Sequence, residues 1–295
     1  MKRKTAAVLV FLLVLSFGFG VQATPAPEAE HLIIHYIDVD QADGMLLIAG
    51  DTTVLIDAGN LATNVKMVKY LQRFGVQELD LVVNTHPHMD HMGGISHVMD
   101  NFPTKEVWCS HATYDTAAFQ YFVNAAARQG LTIKHPEPGT VYSADGLTIN
   151  VLGPMQDAEK YNDLNDTSLV LMVQFGEKKF LFTGDMEAYA ENQLVQADVD
   201  LDADVLKVGH HGSYSSTSQA FLKEVSPEFG IISCGRDNEY GHPHKEPLNQ
   251  LKQADVELFR TDLMGDIVLV TDGKTIAFFL STRDTEVNGY DKYAA

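Results

Sequence analysis

Short apolar runs bounded by Gly, Asp or Asn dominate the first part of the chain. Runs of this length and composition predict β-strands at 31–39, 45–50 and 52–59. Residues 64–75 instead carry apolar side chains at helical spacing and end at a glycine, which predicts a helix. A buried strand is predicted next at 79–86, and Gly93 and Gly94 then open a short helix.

The alternation of strands and helices continues along the rest of the chain. Apolar runs predict strands at 105–110, 131–134, 147–152, 168–176, 178–184, 203–212, 228–235, 256–261, 265–273 and 274–281. Helical spacing recurs at 114–130, 186–197, 216–225 and 246–254. We therefore expect an α/β fold, an αββα sandwich of two mixed β-sheets flanked by helices.

The N-terminal segment is typical of a signal peptide. A basic stretch at 2–4 precedes a nearly unbroken apolar run at 6–19, which is shorter than the roughly 20 residues of a membrane-spanning helix. Residues 21–23 resemble a signal-peptidase site, so cleavage is expected after Ala23. The expected organisation is a signal peptide at 1–23, a short flexible lead at 24–30 and one domain at 31–295. The mature protein would be secreted or periplasmic, without a membrane span.

Charge limits the kinds of partner. The formal net charge is −19 at pH 7. Proteins that bind nucleic acid broadly use Lys and Arg to displace the counterions of phosphate groups, so the acidic composition argues against a broad nucleic-acid surface. A phosphate-containing substrate stays open, because bound metal cations supply local positive charge.

The two cysteines, Cys109 and Cys234, each lie at the end of an apolar, strand-like run. An exported protein could pair them. Their positions at separate strand ends favour two buried free thiols over a disulfide.

The strand at 79–86 leads into a polar cluster, "HPHMDH" at 86–91. Alternate side chains of an extended chain point the same way, so His86 and His88 should aim together. Asp90 and His91 then offer a carboxylate and an imidazole to another side. Imidazole and carboxylate ligands suit Zn, Mn or Fe, and the lack of cysteine ligands disfavours a purely structural zinc site. The loop therefore predicts half of a site for two metal ions.

The cluster resembles the His-x-His-x-Asp-His motif of the metallo-β-lactamase fold. Further segments follow in that family's order: "LIDAG" at 55–59, "LFTGD" at 181–185 and "LKVGHHGS" at 206–213. Four segments resemble more narrowly the hydrolase domain of the competence protein ComEC group: "IDVDQADGMLLI" at 37–48, "NDTSLVL" at 165–171, "KVGHHGS" at 207–213 and "GHPHKEPL" at 241–248. The order of motifs is also similar to that of phosphorylcholine esterase. The resemblance covers about residues 31–280.

The resemblance implies ligands for two divalent ions, Zn or Mn. The first ion would be held by His86 and His88, the second by Asp90, His91 and His211, and both by Asp185. His210 remains the alternative to His211, and Asp57 would brace the ligands from behind. Two such ions lower the pKa of water that they bind, which supplies a nucleophile without a side-chain base.

The resemblance also implies the residues that act in the reaction. We expect Asp90, His210 and His242 to be catalytic. Protonation of the leaving oxygen would fall to His210 or to one of His242 and His244.

The sequence departs from the family at two places. Many members have a histidine before the "TGD" strand, but residues 162–171 have none, which leaves Asn165, Asp166 or water as the third ligand of the first ion. Asp40 stands where the ComEC-like group typically has Gly. Asp43 nearby is either a turn residue or a polar group that lines the site.

The resemblance favours metal-assisted hydrolysis of a phosphate ester. The leading hypothesis is an exported phosphodiesterase or nuclease, with a small phosphodiester as a serious competitor to polymeric DNA because the chain is acidic. Two alternatives remain: acyl hydrolysis of the β-lactamase or lactonase type, and a non-enzymatic surface module that retains metal.

Overall fold

The computed structural model describes residues 29–281. The expected signal peptide and its cleavage site lie outside these residues, as do most of the lead and the chain beyond 281. Within the described residues, no helix is both long enough and apolar enough to cross a membrane.

The first sheet brings the ends of two neighbouring parallel strands to one edge. Its members are β1 Leu32–Tyr36, β2 Gly44–Ala49, β3 Thr52–Ala58, β4 Leu79–Asn84, β5 Thr104–Cys109, β6 Ile133–Lys134, β14 Ile267–Thr271 and β15 Ile276–Leu280. They lie in the order β15-β14-β1-β2-β3-β4-β5-β6. Because β3 and β4 are parallel, the end of β3 at Asp57 and the loop after Asn84 emerge side by side.

The second sheet repeats this arrangement. Its strands are β7 Val141–Ala144, β8 Leu147–Gly153, β9 Val170–Phe175, β10 Lys178–Phe182, β11 Val205–Lys207, β12 Phe229–Ile232 and β13 Glu257–Arg260, in the order β13-β12-β11-β10-β9-β8-β7. Strands β10, β11 and β12 are parallel. The segments that follow them, which carry Asp185, His210 and His242, therefore leave the sheet at one edge.

Helices cover the outer face of each sheet. They are α1 Asn64–Arg73, α2 Met89–Met92, α3 Ile95–Asn101, α4 Ala117–Arg128, α5 Ala188–Gln196, α6 Gln219–Val225, α7 Lys245–Gln253 and α8 Thr261–Met264. One apolar cluster lies between the first sheet and helices α1 to α4, and another between the second sheet and α5 to α7. A third fills the space between the sheets. The αββα sandwich expected from the sequence is confirmed.

Alternation along the strands explains why the chain forms these layers. In β10, Phe180 and Phe182 face the core between the sheets, whereas Leu181 faces the helical side. In β4, Leu81 and Val83 face the same inter-sheet core. A strand that is apolar on both faces must be covered on both, and only a layered fold provides this.

Three local features differ from the expectations or resolve them. Strand β7 was not expected, because its residues are only half-buried or exposed at the edge of the second sheet and their apolar signal is weak. The extended part of the histidine loop ends at His88, and a helical turn at Met89–Met92 precedes the short helix expected after the glycines, which is α3. Cys109 and Cys234 are both buried and free, as expected.

Candidate metal centre

The histidine loop folds back on itself directly after β4. His86 is fully buried, and its Nε2 lies 2.9 Å from Nδ1 of His88. The turn that begins at Met89 then brings His91 back, so that its ring centroid lies 4.2 Å from that of His86. The strand end and one helical turn thus gather three imidazoles into a small volume.

Four side chains from three segments meet beside this loop. One ligand atom from each of Asp90, His91, Asp185 and His211 lies within 4.8 Å of the others. Nε2 of His91 is 3.2 Å from Oδ1 of Asp185. Nε2 of His211 is 3.2 Å from Oδ2 of Asp90 and 3.5 Å from Oδ2 of Asp185. This group is a candidate metal site within the described residues.

Asp185 lies between this group and the histidine pair. Its Oδ2 is 3.9 Å from Nε2 of His86, while its Oδ1 faces His91. The backbone N–H of Asp185 donates to the hydroxyl of Ser168 at 3.1 Å, which holds the start of the loop after β10. A carboxylate in this position can reach ligands on both sides.

Asp57 fixes the histidine loop from behind. It accepts hydrogen bonds from the backbone N–H and the hydroxyl of Thr85 at 2.8 and 2.7 Å, and from Nδ1 of His91 at 2.8 Å. Its own backbone is left-handed, with φ 54°, an unusual conformation that Asp tolerates better than most residues. Because Nδ1 of His91 donates to Asp57, the lone pair of Nε2 is free to face Asp185.

A buried ion pair lies behind His211. Lys207 and Asp43 have no exposed side-chain surface, and Nζ of Lys207 is 2.8 Å from Oδ2 of Asp43. The other oxygen of Asp43 is 3.3 Å from Nδ1 of His211. Burial works against ionisation of Asp43, but Lys207 and His211 lower its pKa to about 2. Asp43 is therefore a buried charged group behind the site rather than a simple turn residue.

The two histidines after β11 have different surroundings. His210 and His211 are both left-handed, with φ 47° and 53°, so the chain turns their side chains in different directions. Nδ1 of His211 donates to the carbonyl of Ser233 at 2.9 Å, which leaves the lone pair of Nε2 for the cluster. His210 instead donates from Nδ1 to Glu187 at 3.1 Å, and its Nε2 is 3.8 Å from Asp185. His211 therefore lies in the candidate site, with His210 at its border.

The electrostatics of the cluster fit a bound cation. Nε2 of His91 and Oδ1 of Asp185 are buried and face each other without forming a hydrogen bond. Burial would lower the pKa of His211, but the carboxylates of Asp185 and Asp43 raise it to about 10. Burial also opposes ionisation of Asp185, but His91 and His211 hold its pKa well below the usual range. The cluster thus combines imidazole nitrogens with carboxylate oxygens that favour positive charge beside them. Such a set of donors suits a divalent metal ion.

Asn165 and Asp166, the two side chains considered as the third ligand of the first ion, differ in whether their oxygens are already hydrogen-bonded. Oδ1 of Asp166 accepts from the backbone N–H of Glu187 at 3.0 Å and of Ala190 at 3.4 Å, so it caps the start of α5. Asn165 lines the cleft, and its buried Oδ1 accepts no hydrogen bond. Of these two, Asn165 has the side-chain oxygen available to a ligand.

An open cleft of about 350 Å³ gives access to the cluster. Its lining includes His88, Asp90, Asp185, His210, His211 and His242, together with Gln41, Tyr114, Asn165 and Tyr240. A larger cleft of about 600 Å³ lies between α6 and α7, but none of its lining residues within 29–281 is His, Cys, Asp or Glu. Chemistry therefore points to the smaller cleft.

His242 faces the cluster from the opposite loop. Its ring centroid lies 5.6 Å from that of His210 and 6.2 Å from that of His211. Burial lowers the pKa of His242 to about 4. His244 lies farther out, where its Nδ1 accepts a hydrogen bond from the backbone N–H of Tyr214 at 3.1 Å.

The sequence matches the metallo-beta-lactamase superfamily over residues 37–236. The chain belongs to this superfamily. Its members are metal-dependent hydrolases, which agrees with the His and Asp cluster that could bind a metal ion.

Two similar proteins place the chain with the competence-related group. It is 30% identical to ComE operon protein 3 of Bacillus subtilis over 253 residues, covering 79% of this chain and 32% of that protein. It is 31% identical to competence protein ComA of Neisseria gonorrhoeae over 258 residues, covering 87% of this chain and 34% of that protein. The chain thus spans about a third of the length of these relatives.

Solved structures show the same fold. The metallo-β-lactamase fold protein YhfI of Bacillus subtilis superposes with a TM-score of 0.56 at 14% identity, covering 82% of this chain and all of that one (100%). A CmlA β-hydroxylase variant gives a TM-score of 0.54 at 14% identity, covering 83% of this chain and 54% of that chain.

The sequence did not predict a place in the site for five residues of this region: Gln41, Tyr114, Glu187, Lys207 and Tyr240. Glu187 carried a signal, since it follows "LFTGD" by two residues. Lys207 also carried one, as the charged residue that ends an apolar strand before the histidine pair. The remaining three lie in loops, where sequence alone gives no direction for a side chain.

Proposed function

We propose that this protein is a phosphodiester hydrolase that uses two divalent metal ions, Zn or Mn. His86 and His88 would hold one ion, and Asp90, His91 and His211 the other, with Asp185 between them. The observation that carries the proposal is the central position of Asp185, whose two oxygens face ligand atoms on both sides. Bound divalent ions would supply Lewis acidity and activate water at neutral pH.

The similar proteins favour a phosphodiester over a lactam or lactone. One of them is named a competence protein, and a further similar protein, from Haemophilus influenzae, is named recombination protein 2. A carboxylate between two metal ions also suits the in-line displacement at phosphorus, where charge develops on the attacking and leaving oxygens together. The acidic net charge of −19 favours a small phosphodiester or a short nucleic acid over a long duplex.

Residues of this chain would then share the remaining work. Asp90 and His211 contact each other on the open side and would orient the nucleophile. His242 would donate a hydrogen bond to the leaving oxygen, since it lines the cleft opposite the histidine loop. His210, held by Glu187, would contact a phosphoryl oxygen from the border of the cluster.

A substrate panel tests the proposal. The purified chain is freed of metal with a chelator, reloaded with Zn or Mn, and incubated with bis-p-nitrophenyl phosphate, plasmid DNA and nitrocefin. We expect metal-dependent cleavage of the phosphodiester substrate and none of nitrocefin. Cleavage of nitrocefin without any phosphodiester cleavage would replace the proposal with acyl hydrolysis. Metal binding without turnover of any substrate would favour a metal-binding module.

We further propose that the protein is exported and cleaved after Ala23. The basic and apolar stretches at 2–4 and 6–19 support this. Expression with the native N-terminus, followed by N-terminal sequencing of the exported protein, should give Thr24 as the first residue. Recovery of the intact Met1 end from the cell interior alone would contradict export.

A further inference from the structure

Two exposed tyrosines flank the cleft from different loops. Tyr114 lies between β5 and α4 and is 41% exposed, and Tyr240 lies between β12 and α7 and is 61% exposed. Both line the cleft that opens onto the metal candidate. Exposing a large aromatic side chain to water costs free energy. A pair of exposed aromatic side chains at the mouth of a site therefore indicates a binding surface.

Tyr240 ends a series of near-parallel rings that starts at the cluster. The rings of His211 and His242 lie 6.2 Å apart with an interplanar angle of 26°. The rings of His242 and Tyr240 lie 5.7 Å apart at 25°. One side of the Tyr240 ring is thus against His242, and the exposed side continues the same stacking direction away from the metal candidate.

The loop that carries Tyr240 is fixed from within. The side-chain amide of Asn238 donates to the carbonyls of Gly235 and His242 at 2.9 and 2.6 Å, and its oxygen accepts from the N–H of His242 at 2.9 Å. Gln41 accepts from the N–H of Gly235 at 3.0 Å. A ligand that stacks on Tyr240 would therefore meet a ring whose loop is already ordered, which lowers the entropy cost of binding.

Tyr114 lies against His88, one member of the histidine pair. Its ring centroid is 5.9 Å from that of His88, with an interplanar angle of 76°. The contact still leaves 41% of Tyr114 exposed. Both tyrosines therefore line one cleft, Tyr114 beside His88 and Tyr240 beside His242.

We propose that Tyr114 and Tyr240 are stacking subsites for nucleobases on either side of the scissile phosphodiester. The proposal rests on the phosphodiester hydrolase function and names its substrate class: a nucleotide diester or a short single strand. Aromatic side chains stack on bases independently of sequence, because every base has a flat π-face. Among the described residues that line the cleft there is no Lys or Arg, so stacking would take over the affinity that a cationic groove gives to other nucleic-acid sites.

A single strand fits better than a duplex. In a duplex the faces of the bases are covered by their neighbours, so a protein ring gains access only after unstacking. The acidic net charge of −19 also weakens attraction to a long double helix.

A pair of substrates with one leaving group tests the proposal. Thymidine 5′-(p-nitrophenyl phosphate) and methyl p-nitrophenyl phosphate differ only in the group that would stack. We expect kcat/KM to be at least about tenfold higher for the thymidine ester, within the range that one base stack provides. The alanine variant of the tyrosine that stacks on the thymine, Tyr240→Ala or Tyr114→Ala, should raise KM for the thymidine ester about tenfold and narrow the difference in kcat/KM between the two esters.

Matched variants separate stacking from folding. Tyr240→Phe and Tyr114→Phe keep the ring and should retain the low KM. Tyr121→Ala removes another exposed tyrosine, 53% exposed on α4 and outside the cleft, and should change neither substrate. Equal kcat/KM for the two esters, or equal losses on both in the alanine variants, would overturn the inference while leaving phosphodiester hydrolysis intact.

A binding measurement keeps the inference testable if neither ester is cleaved. A fluorescent phosphorothioate tetrathymidylate serves as the ligand of the metal-loaded protein, and phosphocholine and thymidine 5′-monophosphate serve as competitors. Tyr240→Ala should weaken binding of the tetrathymidylate about tenfold. Loss of binding in the variant would support stacking even if no ester is cleaved. The lack of cleavage would then count only against the proposed hydrolase function. Unchanged binding, or displacement by phosphocholine at lower concentration than by thymidine 5′-monophosphate, would reject nucleobase stacking.

Discussion

Gln41 donates a hydrogen bond from Nε2 to Nδ1 of His242 at 3.2 Å. The direction follows from a second contact, because Oε1 of Gln41 accepts from the backbone N–H of Gly235 at 3.0 Å. An amide nitrogen cannot accept, so Nδ1 of His242 is the acceptor and its proton is on Nε2. Gln41 therefore sets the tautomer in which His242 can donate to a group in the cleft.

This relationship predicts a dependence on the leaving group. His242→Ala should slow phosphodiesters with poor alkoxide leaving groups by about 10²- to 10³-fold, the range for loss of one hydrogen-bond donor to a developing oxyanion. Esters of p-nitrophenol should change little, because that leaving group departs without a proton. Steady-state kcat for both ester types measures the difference.

Gln41→Met should change kcat in the same direction and by less, because the tautomer of His242 is no longer fixed. Gln77→Met is the matched control, since Gln77 is exposed and contacts only the carbonyl of Gly75 in its own loop. If His242→Ala slowed both ester types equally, a role in stabilising the leaving oxygen by a hydrogen bond would be wrong.

Asp57 should control metal affinity although it is placed behind the cluster. Asp57→Asn removes the carboxylate that accepts from Nδ1 of His91, and such changes typically weaken metal binding about 10- to 100-fold. Titration of the metal-free protein with Zn against a competing chelator gives the dissociation constant. Asp80→Asn is the control, because Asp80 accepts from the N–H of Thr53 at 2.8 Å outside the cluster. Identical affinities for Asp57→Asn and the wild type would contradict this role.

The pair of Lys207 and Asp43 should matter for stability because neither side chain is exposed. Lys207→Met leaves a buried carboxylate without its cation and should lower the free energy of unfolding by about 3–5 kcal/mol. Adding Asp43→Asn should recover part of this loss. Urea unfolding of the metal-free protein measures both. Lys178→Met, which breaks a partly exposed pair with Asp204, should cost less than about 1 kcal/mol, and an equal loss there would refute the argument from burial.

Glu191 should make stability depend on pH. Burial raises its pKa from 4.5 to about 7. The folded protein therefore holds this proton to higher pH than the unfolded chain, so the contribution of Glu191 falls as pH rises between 4.5 and 7. The stability difference between the wild type and Glu191→Gln should shift in favour of the variant from pH 5 to pH 8. Unfolding at both pH values checks this, with the exposed Glu224→Gln as control, and a pH-independent difference would contradict it.

Contiguous patterns made most of the fold predictable. The apolar runs of β4 and β10 and the glycine that follows α1 are local signals, and they fix element type. Strand β7 was missed because its edge position leaves it half-exposed, so its sequence has little apolar signal. Asp40 has φ 61°, a left-handed conformation that favours the Gly implied by the resemblance and that Asp tolerates better than most residues.

The residues alone predicted the candidate site only where they are adjacent in sequence, whereas Asp185 and His211 were implied by the family resemblance. The loop from His86 to His91 is recognisable from its contiguous sequence. The pairing of Asp43 with Lys207, in contrast, joins segments far apart in the chain. Their contact depends on how the two sheets meet, which no local pattern encodes. The choice between His210 and His211 likewise depends on two left-handed residues whose backbone angles the sequence does not reveal.

The most direct test of the two-metal hydrolase proposal is whether phosphodiester cleavage depends on added metal and on Asp185. Turnover of bis-p-nitrophenyl phosphate is measured for metal-free protein and after addition of Mn or Zn, in the wild type and in Asp185→Asn. The wild type should gain activity only with metal, and Asp185→Asn should stay at least about 100-fold slower. Activity without metal, or a metal-loaded Asp185→Asn as fast as the wild type, would contradict it.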